Sequence, residues 1–170
     1  MLRALGALLL LGGALALGVA PSRELARRLA ALEVWGEALA LLERELAFSS
    51  PPMPELLAQL SRRSAFPVQE WASVVLNGLE ELGERTFGEI WRRGLETTPG
   101  PLFPPELEAL ARLGEALGRY DRESQLESLR LTREELSRLA GETRKERQEK
   151  GKAWGALGLS LGAAVLILLL

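Results

Sequence analysis

The chain has 170 residues, with 23 acidic and 21 basic side chains, no Cys and no His. That length suits one domain. The missing residues exclude disulfides, thiolate nucleophiles, Cys-ligated zinc and every hydrolase built on a Ser-His or Cys-His pair. A net charge of -2 argues against a nucleic-acid partner, since such proteins carry a basic excess. Only carboxylate or Lys chemistry is left for an enzyme. No P-loop pattern occurs, and we expect neither catalysis, cofactor nor small-molecule substrate.

In chain order, the first element is an uncharged run, ALGALLLLGGALALGVA, at residues 4–20. As a helix it would be about 26 Å long, the short end of what crosses a bilayer core. Gly18-Val19-Ala20 has the small-x-small look of a signal-peptide end. Pro21 directly after it is an awkward place for cleavage, so an intact anchor is the expectation. Leu25, Leu29, Leu32, Gly36, Leu39 and Leu46 then follow mostly at helical steps, predicting an amphipathic helix to about Phe48, where Ser49-Ser50-Pro51-Pro52 stops it. Met53-Pro54 opens a short helix to about Arg62, Phe66-Pro67 a third to about Leu82, and residues 86–96 read as a fourth. Residues 97–105, with Gly100 and several prolines, form the longest non-helical stretch.

A last helix is expected from Pro104-Pro105, running on, bent or straight, into a second uncharged run, AWGALGLSLGAAVLILLL, at residues 153–170. Its stripe holds Gly114 and Gly118, four apart on one face, where another backbone could approach closely. Each Gly costs about 1 kcal/mol of helix propensity against Ala, which close packing would justify. Asp121 and Gln125 interrupt the apolar stripe one turn on. They read as a satisfied buried hydrogen-bonding element that sets register, or as a contact for another subunit. Glu134, Glu135 and Arg138 read as solvated helix pairs.

Arg23, Arg27 and Arg28 follow the first run, and Arg144, Lys145, Arg147, Lys150 and Lys152 precede the second. By the positive-inside rule the middle of the chain is then cytoplasmic. The expected architecture is all-α: transmembrane helix 1–20, a cytoplasmic helical bundle of about five to six helices over 21–152, and transmembrane helix 153–170. Gly158 and Gly162 form a GxxxG and Gly12 with Ala16 a small-xxx-small pair, candidates for packing between spans and for a homo-oligomer.

Leu113-Gly114, Leu117-Gly118, Asp121 and Gln125 resemble the LGxxLGxxDxxxQ signature of the stage III sporulation protein AB family. The likeness continues into Leu157-Gly158-Leu-Ser-Leu-Gly162. Upstream, Leu42-Glu43-Arg-Glu45-Leu46-Ala-Phe48 and the prolines after it are similar to the family's first helix and turn, and Trp91 sits where the family tends to have Trp. Ser50-Pro51-Pro52-Met53-Pro54 departs from the family's hydroxyl-Pro-Leu-Pro turn, and residues 85–105 are only loosely similar. The resemblance implies a mother-cell sporulation protein in the membrane around the forespore, its domain similar to those of the type II secretion platform protein. It also implies a scaffold role beside a stage III sporulation protein AA-like ATPase and other channel subunits. A membrane-anchored interaction protein unrelated to sporulation, or an exported protein with its helical domain outside, is the alternative.

Overall fold

The computed structural model describes residues 2–49, 51–119 and 121–169, with side chains placed for 23–49, 51–119 and 121–151. Among them there are six α-helices and no β-strand: α1 (Leu2–Phe48), α2 (Met53–Arg63), α3 (Val68–Gly78), α4 (Phe87–Thr97), α5 (Pro104–Arg119) and α6 (Arg122–Leu169), with a 3-10 turn at Leu79–Glu81 after α3. The chain divides into two compact units. One is Arg28–Gly141; the other combines Met1–Arg27 with Glu142–Leu170. Among the described residues no helix is long and apolar enough to cross a membrane. The uncharged runs 4–20 and 153–170, with Gly158 and Gly162, lie outside the residues whose side chains are described.

Local chemistry accounts for the helix ends in the unit Arg28–Gly141. Pro54 sits in the first turn of α2, where its missing N–H costs nothing. At α4 the Thr86 hydroxyl accepts from the Glu89 N–H at 3.3 Å, and the Glu89 carboxylate accepts from the Thr86 N–H at 2.7 Å, a reciprocal cap. The connection from α4 to α5 turns at Gly100, whose φ of +59° suits Gly and whose missing Cβ leaves room for Pro67.

The core of this unit is a row of three indoles. Trp35 of α1 meets Trp71 of α3 with ring centroids 4.7 Å apart, and Trp71 meets Trp91 of α4 at 4.4 Å, close to edge-on. Around them pack Leu39, Leu57, Leu60, Val75, Leu110 and Leu136, all nearly or fully buried. Trp91 donates its indole N–H to the Leu110 carbonyl at 2.8 Å. The N–H groups of Trp35 and Trp71 find no acceptor among the described residues, so those two rings are held by apolar burial and ring contact.

The structure corrects the expectation of one helix from residue 104 to the end. α5 stops at Arg119, and α6 begins at Arg122. Asp121 therefore sits at an exposed corner outside both helices instead of on a buried stripe. The physical reason is that Asp121 caps the start of α6 with its own side chain. One charge assignment changes as well. Arg28 is no free flanking charge but is buried against Glu106. On the surface Glu135 also accepts from Arg112 of α5 at 3.0 Å, a contact between helices.

Candidate functional site

The four residues singled out by the sequence occupy one corner, where α5 ends, α6 begins and α4 crosses α5. Gly114 is buried at that crossing. A Cβ there would overlap Cδ1 and Cγ of the Trp91 indole and stand 2.8 Å from its Cβ. Gly118 lies one turn on and is exposed. A Cβ there would meet Phe87 Cβ at 3.3 Å and the Gly88 nitrogen at 3.5 Å. The approach is mutual, since a Cβ on Gly88 of α4 would sit 3.2 Å from the Glu115 backbone. Small residues on both helices thus let α4 and α5 come close enough for Trp91 to reach the Leu110 carbonyl.

Asp121 and Gln125 do a different job. Asp121 Oδ1 accepts from the backbone N–H of Glu123 at 3.0 Å and of Ser124 at 3.1 Å, and Oδ2 accepts from the Ser124 hydroxyl at 3.1 Å. It is the N-cap of α6 and satisfies donors that no helical carbonyl can reach. Gln125 donates from Nε2 to the Leu117 carbonyl at 2.8 Å, serving the end of α5. The polar pair thus terminates one helix and starts the next, and none of the four groups is arranged as an acid–base or nucleophile pair.

The same corner holds the end of α1. Arg122 donates to the Leu46 carbonyl at 2.9 Å and to that of Ala47, placing a cation at the negative end of the α1 dipole. Glu43 accepts from Arg130 at 3.1 Å and from Arg133. Burial raises the Glu43 carboxyl, but the hydrogen bonds from Arg133 and Arg130 outweigh it and hold the group below the usual carboxylate range. Sequence reasoning missed these contacts because the partners stand 75 or more positions apart. Only the surplus of Arg over Lys hinted at fixed, planar pairing.

Beside Gly118 a cleft of about 310 Å³ is bounded by Thr86, Phe87, Glu89, Arg92, Glu115 and Arg119. Its charges are balanced, and Arg92 and Glu115 neutralise one another at 2.7 Å. Among the described residues no group of His, Cys, Asp or Glu is placed to hold a metal ion.

Residues 3–170 match the family model for stage III sporulation protein AB. The chain belongs to that family. Membership in the stage III sporulation protein AB family makes it a sporulation protein, and the corner just described is built by the signature residues of the resemblance. A solved structure of stage III sporulation protein AB is similar, with a TM-score of 0.67 at 24% identity, over 72% of this chain and 98% of that one. At that identity the likeness is one of fold. No curated protein sequence matches.

The N-cap carries a pH prediction for this family member. Hydrogen bonds from the Ser124 backbone and hydroxyl hold the Asp121 carboxyl below its ordinary value. A depressed folded-state pKa adds stability above the unfolded value of about 3.9 and loses it as pH falls through the folded one. Asp121→Asn can keep the two backbone cap bonds at Oδ1 but loses the charge and the acceptor for the Ser124 hydroxyl. It is therefore expected to melt below wild type at pH 7, with the gap closing below about pH 4, as circular dichroism melts in detergent would record. A gap that is constant with pH would mean the charge contributes nothing.

Proposed function

We propose that this protein is a non-catalytic membrane platform of the channel complex between mother cell and forespore. In this reading the runs 4–20 and 153–170 anchor it in the outer forespore membrane, with the helical unit on the mother-cell side. The platform couples a stage III sporulation protein AA-like ATPase to the membrane assembly. The observation that carries the reading is the extent of the family match. Residues 3–170 take in both uncharged runs as well as the helical unit, which supports reading the runs as anchors of the same architecture.

The polar chemistry supports the same reading. In the described corner, carboxylates and arginines are spent on helix ends and on each other, as suits a rigid part that presents a surface. The absence of a P-loop in the sequence leaves nucleotide hydrolysis to a partner.

Two measurements on the full-length chain test this. It should stay with the membrane pellet on alkaline extraction, and the detergent-solubilised protein should co-purify with the ATPase. A chain released by alkali would overturn the anchoring. Binding of no ATPase by a membrane-held, folded chain would overturn the coupling. Digestion of the helical unit by protease added outside intact cells would favour an exported domain instead.

A further inference from the structure

Charge is divided unequally between the two compact units. The unit Met1–Arg27 with Glu142–Leu170 has eight basic and four acidic side chains, whereas Arg28–Gly141 has 13 basic and 19 acidic ones. The type of cation divides too. All three lysines of the protein, Lys145, Lys150 and Lys152, fall within eight residues of one another in the first of these units. The other unit uses only arginine, and most of those side chains are committed to glutamates, as in Arg28–Glu106, Arg93–Glu81 and Arg130–Glu43.

Arg23, Arg27, Lys145, Arg147 and Lys150 are exposed. Glu24, Glu142, Glu146 and Glu149 lie among them, and Lys150 pairs with Glu146 at 2.7 Å on the surface. Lysine is a compact, strongly hydrated charge on a flexible stem, suited to a diffuse anionic surface more than to a fixed fork. The basic stretches lie within a few residues of the two uncharged runs in the sequence.

We propose that residues 23–27 and 144–150 form a contact band for anionic lipid headgroups, selecting phosphatidylglycerol-like lipids over zwitterionic ones around the protein. The inference rests on the membrane reading above and goes beyond it, because anchoring needs only apolar runs whereas lipid choice needs this charge. Each basic side chain near an anionic surface gains about fivefold in affinity, less where a carboxylate already faces it. For the Lys145, Arg147 and Lys150 group, at least about a tenfold preference is therefore expected at about 0.1 M salt.

The test uses the full-length chain purified in mild detergent from membranes holding equal phosphatidylglycerol and phosphatidylcholine, with the retained lipids quantified by mass spectrometry. Wild type should retain phosphatidylglycerol at least about tenfold over phosphatidylcholine. The preference should fall below about twofold after a wash at about 1 M salt, where the screening length shrinks to about 3 Å. The triple variant Lys145→Gln/Arg147→Gln/Lys150→Gln should show the same loss at unchanged helicity. Equal retention of both lipids by wild type overturns the band, as does a preference that survives in the folded triple variant. If that variant does not fold, the salt wash decides alone, and a salt-resistant preference overturns the proposal. Vesicle flotation separates this failure from that of anchorage. A chain stripped from neutral vesicles by alkali loses the anchor. Flotation of such a chain with phosphatidylglycerol vesicles would still uphold the band, and flotation with neither lipid would overturn it.

Discussion

Gly114→Ala is expected to lower stability by about 3 kcal/mol, whereas Gly118→Ala stays within about 1 kcal/mol of wild type. Both substitutions gain the same helix propensity, about 1 kcal/mol. They differ in what the new methyl meets. At Gly114 it collides with the Trp91 ring, which packs against Trp71 and is tied by its N–H to Leu110. Relief would require breaking a buried hydrogen bond or parting α4 from α5, and either exceeds the propensity gain. At Gly118 the methyl comes 3.3 Å from Phe87 Cβ at an exposed position, where a few tenths of an ångström of give suffice. In a chain of this length the Gly114 loss corresponds to a melting temperature about 6–12 °C lower. Circular dichroism melts of the two single variants in detergent read the contrast directly, and equal shifts at both positions would refute this account of the crossing.

The glycine pair shows what was legible in the chain. Spacing alone placed Gly114 and Gly118 on one face of a helix, and the cost of Gly called for a closely packed neighbour. Which neighbour was not legible, because Trp91 lies in a separate helix whose packing no local pattern encodes. Helix starts and stops could be read wherever a rigid residue marked them, as at Pro54 and Pro104. The break at Asp121 was hidden for a specific reason. Leu117, Asp121, Gln125 and Leu129 continue the four-residue step straight across it, so periodicity reads one helix where there are two. The cue that existed was chemical: Asp followed by Ser three residues on, a side chain able to accept from Ser124. A capping residue on an apparent apolar stripe is better read as a start signal than as a buried polar group.

Charge carries the least legible contact and the largest expected effect. Glu106→Ala should cost about 3–5 kcal/mol, because it leaves the Arg28 guanidinium buried with no carboxylate. Glu106 is fully buried, and its Oε1 accepts from Arg28 Nε at 2.9 Å and from Nη2 as well. Its Oε2 accepts from the Phe103 N–H at 2.7 Å, at the start of α5, and the guanidinium lies 4.1 Å from the centroid of the Phe103 ring. One carboxylate therefore joins α1 to α5 and caps α5 at the positive end of its dipole. In sequence the two partners stand 78 positions apart, and each alone looks like an ordinary surface charge. Removing both charges should hurt less than removing one, since much of the single-variant loss is the penalty of a stranded ion. Arg28→Met/Glu106→Leu is thus expected to recover most of the loss, short of about 1 kcal/mol for the Phe103 N–H left without its acceptor. A double-mutant cycle by thermal or urea unfolding measures the coupling. Strictly additive losses would mean that the pair is no unit and that α1 is held to α5 by apolar packing alone.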